Sequence, residues 1–107
     1  MNKPNQNPED AIFVRVDPEI LDLVPTFLDN MRKGVREGET ALGKSDYATL
    51  ETLGHNLKGT GTGYGFDELS RLGKLLEDAA KRKNATDAQK SLKELSIYLR
   101  RVKVRYE

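Results

Sequence analysis

The chain has 107 residues, 18 basic against 17 acidic, with one histidine and no cysteine. That length allows one domain with a modest core and a single small task, not a nucleotide pocket beside an unrelated catalytic site. A net charge of +1 argues against a nucleic-acid binder that works by neutralising phosphates, and the lack of cysteine excludes disulfides and thiolate metal sites.

Residues 1–10, MNKPNQNPED, are polar and proline-containing and read as a disordered lead before a single domain at 11–107. The longest early apolar run is Ala11 to Val14, too short for a signal peptide or a membrane span. No membrane contact is expected, and the cytoplasm is the expected location.

A first helix starts at Asp17-Pro18-Glu19, where the Asp side chain accepts free N–H groups and Pro fits the first turn. It runs to about Arg36 with Ile20, Leu23, Val24, Phe27, Leu28, Met31 and Val35 on its apolar face. Pro25 should bend this helix or shift its true start. The stretch GETALGKSD, with Gly38 and Gly43, reads as a turn, after which Ser45 or Asp46 caps a second helix before Tyr47. Leu50, Leu53 and Leu57, continuing toward Tyr64, form its buried stripe.

A third helix begins near Asp67, carries Leu69, Leu72, Leu76 and Ala79, and frays in the polar KRKN around Asn84. A fourth opens near Thr86 or Asp87 and continues through Leu92, Leu95, Leu99, Val102 and Tyr106 to the C-terminus. No alternating pattern is long enough to predict a sheet. The expected fold class is all-α, an antiparallel up-down four-helix bundle with a short N-terminal extension.

The histidine lies in ETLGHNLKGTGTGYGFDELSRLGKLLE. At about 100° per residue, His55 stands about 200° from both Leu53 and Leu57, which points its imidazole at solvent. Lys58 and Gly59 follow one turn on, so a nucleophile, a cation and a cleared space share one strip. Each helical glycine costs about 1 kcal/mol relative to alanine. Gly59, Gly61, Gly63 and Gly65 therefore need a reason. The run ends the second helix if Gly63 or Gly65 takes a left-handed cap conformation. Gly59 is not explained that way, and its missing side chain leaves room for another molecule above the imidazole.

Other chemistries fit poorly. The glycines match neither GxGxxG nor GxxxxGK[ST], and a helical pattern precedes them instead of a strand. A metal site would need carboxylates from elsewhere in the chain. Hydrolytic catalysis lacks a recognisable Ser or Cys nucleophile turn.

The run HNLKGTGTGYGFDEL followed by SRLGKLLE resembles the signature of the histidine-containing phosphotransfer (HPt) domains of bacterial two-component phosphorelays. The motif spans about Leu53 to Glu77, and the flanking helical pattern extends the likeness over roughly residues 11 to 107. The resemblance implies a four-helix bundle whose exposed His55 accepts a phosphoryl group from a histidine kinase or a receiver domain and passes it to a response-regulator receiver aspartate. It implies a carrier, not an enzyme in its own right, and a monomer.

That implication agrees with the chemistry of the strip. A free imidazole titrates near ~6.5, so at neutral pH one ring nitrogen is commonly free to attack. Phosphoryl transfer needs alignment and charge neutralisation, which gives Lys58 the part of offsetting phosphoryl charge while Gly59 admits the partner. Thr52, Asn56, Thr62 and Gly63 flank the histidine as candidate partner contacts. No cofactor is expected of this chain, since ATP and Mg²⁺ would belong to donor and receiver. The alternative is a helical adaptor that binds a receiver or kinase without carrying phosphate. A small-molecule-binding bundle is a third option, and it would show a sizeable internal pocket.

Overall fold

The structure, a computed structural model, describes residues 11–106, and of the last two of these the backbone only. The expected lead, residues 1–10, lies outside the described residues. In chain order the elements are strand β1 (Ile12–Val16), a 3₁₀ turn (Pro18–Leu23), helices α1 (Val24–Gly43), α2 (Tyr47–Gly63), α3 (Asp67–Lys81) and α4 (Ala85–Arg101), and strand β2 (Val102–Tyr106).

The first helix differs from expectation at both ends. Asp17 does cap, its carboxylate accepting the Glu19 N–H at 2.9 Å, but what it caps is the 3₁₀ turn. Pro25 falls in the first turn of α1, where its missing N–H costs nothing, so it shifts the α-helical start and does not bend the helix. At the other end α1 continues through Gly38 to Gly43, and Gly38 is buried against Leu50, Leu53 and Leu92. The turn falls later, at Lys44 to Asp46.

The three helix-to-helix connections share one design. In each, the chain leaves the helix through a left-handed residue, Ser45 (φ 54), Gly65 (φ 88) or Lys83 (φ 52). Paired bonds then close the helix end: Asp46 N–H to Ala41 O and Ser45 N–H to Leu42 O, Phe66 to Gly61 and Gly65 to Thr62, Asn84 to Ala79 and Lys83 to Ala80, all within 2.8–3.0 Å. This is the Schellman arrangement, and the residue after the left-handed one already opens the next helix. Asp46 and Asn84 do so with side-chain caps on Thr49 and Asp87. Phe66 has no capping side chain and is instead 0% exposed in the core.

The expectation of no sheet, and of a fourth helix reaching the C-terminus, is corrected. Helix α4 ends at Arg101, and β1 and β2 pair in parallel with Ile12 opposite Val102 and Val16 opposite Tyr106. Val16 and Val102 are buried on the helical core while Phe13, Arg15 and Lys103 face outward. The apolar Phe13 masks the alternation in the first strand. In the second, Val102 and Tyr106 also extend the three-and-four spacing of α4, and β-branched Val102 and Val104 favour the extended chain once a partner strand lies beside them.

Leu50, Leu57, Phe66, Leu69, Leu76 and Leu95, from α2, α3, α4 and the α2–α3 connection, are 0% exposed and form the centre of the core. Truncating any of these leucines to alanine should cost roughly 2–5 kcal/mol. Phe27 stacks on Tyr64 with ring centroids 4.2 Å apart and on Phe66 at 5.5 Å, which ties α1 to the α2–α3 connection. The open spaces include a surface groove of about 470 Å³ between α1 and α2 and one of about 480 Å³ between α1 and α4, and neither is an internal chamber. Among the described residues no helix is long and apolar enough to cross a membrane.

Candidate functional site

The site is built where α2 and α3 approach most closely, and glycines permit that approach. A Cβ on Gly54 would lie 2.5 Å from the Glu77 nitrogen and 2.6 Å from the Gly73 oxygen. One on Gly73 would lie 2.6 Å from Leu57 Cβ and 2.7 Å from the Lys58 nitrogen. Any side chain at either position forces the helices apart. With both positions bare, the residue after Gly54, His55, comes within reach of Glu77.

The His55 side chain is 66% exposed, and its Nδ1 lies 3.0 Å from Glu77 Oε2. Lys58, one turn along α2, lies with Nζ 2.9 Å from the other oxygen, Oε1, and Lys81 approaches Oε2 at 3.8 Å. The Glu77 side chain is only 5% exposed. The hydrogen bond from Lys58, then that from His55 and the charge of Lys81, hold its carboxyl at about 2, below the ordinary 4.5, against the opposing pull of burial. An ionised carboxylate only accepts, so Nδ1 donates to it, and in the neutral ring the proton is then on Nδ1 and Nε2 keeps a free lone pair. Among the described residues every buried side-chain N or O atom has a partner.

The other predicted residues divide. A Cβ on Gly59 would meet nothing within 4 Å, and the same holds for Gly63, so open space lies along the strip beyond His55. Thr52 and Asn56 line the α1–α2 groove, away from the Glu77 side of the histidine. Thr62 is exposed, but its hydroxyl donates to Ser70 Oγ at 2.8 Å and ties α2 to α3. The glycine run does not end α2 early. Gly59, Gly61 and Gly63 are all helical, and only Gly65 is left-handed. Gly61 packs against the start of α3, where a Cβ would lie 2.6 Å from Ser70 Oγ and 2.8 Å from its nitrogen.

Glu77 and Lys81 were not among the predicted site residues. One signal was present in the sequence: at helical spacing Glu77 borders the apolar stripe of Leu69, Leu72 and Leu76, on the side of Gly73 and Ala80, where a lone carboxylate requires a partner. Which partner it takes depends on the helix crossing. Among the described residues no group of three or more His, Asp or Glu is placed to hold a metal ion.

The described residues thus form a helical domain that presents a histidine ring on its surface, held from behind by a buried carboxylate and flanked by a lysine. A family model described as the Hpt domain matches residues 22–104, and the chain belongs to that family. Domains of this family serve phosphotransfer in two-component systems, generally as phosphocarriers, and interact with kinases and response regulators. No curated protein and no solved structure matches the chain significantly.

Proposed function

We propose that His55 is the phosphoryl acceptor and that the chain exchanges the group with the aspartate of a response-regulator receiver domain. The observation that carries this reading is the exposed ring whose Nδ1 is bound to Glu77 at 3.0 Å, leaving Nε2 as the nucleophile. In the forward step the Nε2 lone pair forms a bond to phosphorus. The P–O bond of the receiver's acyl phosphate breaks, and its electrons leave on the aspartate carboxylate.

No proton has to move. The ring becomes an imidazolium whose Nδ1–H stays on Glu77, and the carboxylate offsets the new charge. The same bond serves the return step, because a ring that keeps its Nδ1 proton departs as neutral imidazole instead of as an anion. Lys58 lies close enough to turn from Glu77 Oε1 to the phosphoryl oxygens, where positive charge helps a loose transition state. The space over Gly59 and Gly63 is where the receiver's backbone approaches, and Thr52 and Asn56 offer polar contacts at the groove beside it.

Incubation with receiver domains carrying labelled aspartyl phosphate tests the reading. The expected result is acid-labile, alkali-stable label on the native chain and none on His55→Gln. A native chain that binds a receiver but never takes label would be an adaptor.

A further inference from the structure

Lys81 extends from α3 one turn beyond Glu77, with Nζ 3.8 Å from the oxygen that accepts the His55 proton. The relay described above employs Lys58 and leaves this second cation without a part. We propose that Lys81 is a reserve counter-ion for Glu77 that sets how far phosphoryl exchange lies toward the histidine. The inference rests on the relay reading of His55.

Lys58 now lies 2.9 Å from Glu77, and each donor it turns to a phosphoryl group loosens that hold. When it turns outward, Glu77 is left beneath a ring carrying about two negative charges on its phosphoryl oxygens. A nearly buried carboxylate beside that group needs another cation. Lys81 is half-exposed and free to advance from 3.8 Å, whereas Lys74, on the same helix, is engaged by Asp78 at 3.6 Å.

The charge count gives the direction. Before transfer, the two ammoniums of Lys58 and Lys81 face one carboxylate and a neutral ring, so the cluster holds one positive charge in excess. The transferred group brings one net negative charge, shared between a dianionic phosphoryl and a cationic ring, and the cluster becomes neutral. Without Lys81 the same step would take the cluster from neutral to negative. Lys81 thus favours the phosphorylated chain over the phosphorylated receiver.

The test uses an isolated receiver domain loaded with acetyl phosphate and selected because it labels the native chain. The readout is the ratio of phosphohistidine to aspartyl phosphate at equilibrium. Lys81→Gln should shift that ratio toward the receiver by about three- to tenfold at low salt, the range expected for one partly screened charge. Lys81→Glu should shift it further, and Lys81→Arg should restore it. The difference should shrink as salt rises from about 0.05 to 0.5 M, since the Debye length contracts severalfold. A structural role would show none of this charge and salt dependence. An unchanged ratio in Lys81→Gln, or a shift that neither arginine nor salt alters, overturns the inference while labelling of the native chain keeps the relay reading intact. Absence of label on the native chain overturns both.

Discussion

Glu77 joins the two halves of the site, since one oxygen takes the histidine and the other the lysine. His55, Lys58 and Gly59 were legible because they lie within one helical turn, where spacing alone sets which side chains share a face. Glu77 was not, because it is 22 residues from His55 and reaches it only across the helix crossing. Its effect on stability has a definite sign. Its folded pKa of about 2 lies below the ordinary 4.5, so its contribution is complete above about pH 4.5 and is lost as pH falls toward about 2. Glu77→Gln should therefore be less stable than the native chain at neutral pH, with the gap closing as pH drops through that window. Denaturant midpoints measured for both proteins from pH 7 downward check this. Asp46 and Glu68 are also lowered, by Thr49 and by Arg71 respectively, but they are common to both proteins and cancel in the difference.

The packing of α2 on α3 separates glycines that are alike in sequence. Gly54 and Gly73 are filled against backbone, whereas Gly59 and Gly63 face open space. Alanine at the two kinds of position should have opposite effects. Gly54→Ala places a Cβ against the backbone of Glu77 and should destabilise by about 1–3 kcal/mol, the usual range for overpacking. Gly59→Ala meets nothing and should stabilise by up to about 1 kcal/mol through helix propensity, yet slow labelling by a phosphorylated receiver. Urea unfolding beside labelling rates measures both. A Gly59→Ala chain that is more stable and equally fast would remove the partner-clearance role. Gly59 was set apart in the sequence by its place one turn after His55, but nothing there marks Gly54 and Gly73 as closed, because their part depends on what the neighbouring helix brings to them. The ends of α2 were more legible: of Ser45 and Asp46 it is Asp46 that caps, and of Gly63 and Gly65 it is Gly65 that is left-handed.

Across the whole molecule, the parallel pairing of β1 with β2 brings together the two ends of the described chain. Such a pair forms only after four intervening helices have been placed, so neither strand has a local partner to reveal it. The strand pair is distant in sequence from His55 but shares the core through Val16 and Val102. Removing residues 1–16 should lower the denaturant midpoint and abolish amide-exchange protection at residues 102–106, while labelling at His55 persists. Retained protection there would mean that β1 is not what orders β2. The C-terminal end of β1 also meets the α2–α3 connection, since the Arg15 carbonyl lies 3.3 Å from where a Cβ on Gly65 would be.

Residue order alone determined the number of helices, the cap of α2 to within two neighbouring residues and the face of α2 that carries His55, because each follows from groups a few residues apart. Tertiary structure decided the strand pairing, which glycines are closed and which open, and that Glu77 and Lys81 stand behind the imidazole. Those outcomes depend on how closely two helices approach and on where the ends of the chain meet. No local spacing encodes either distance.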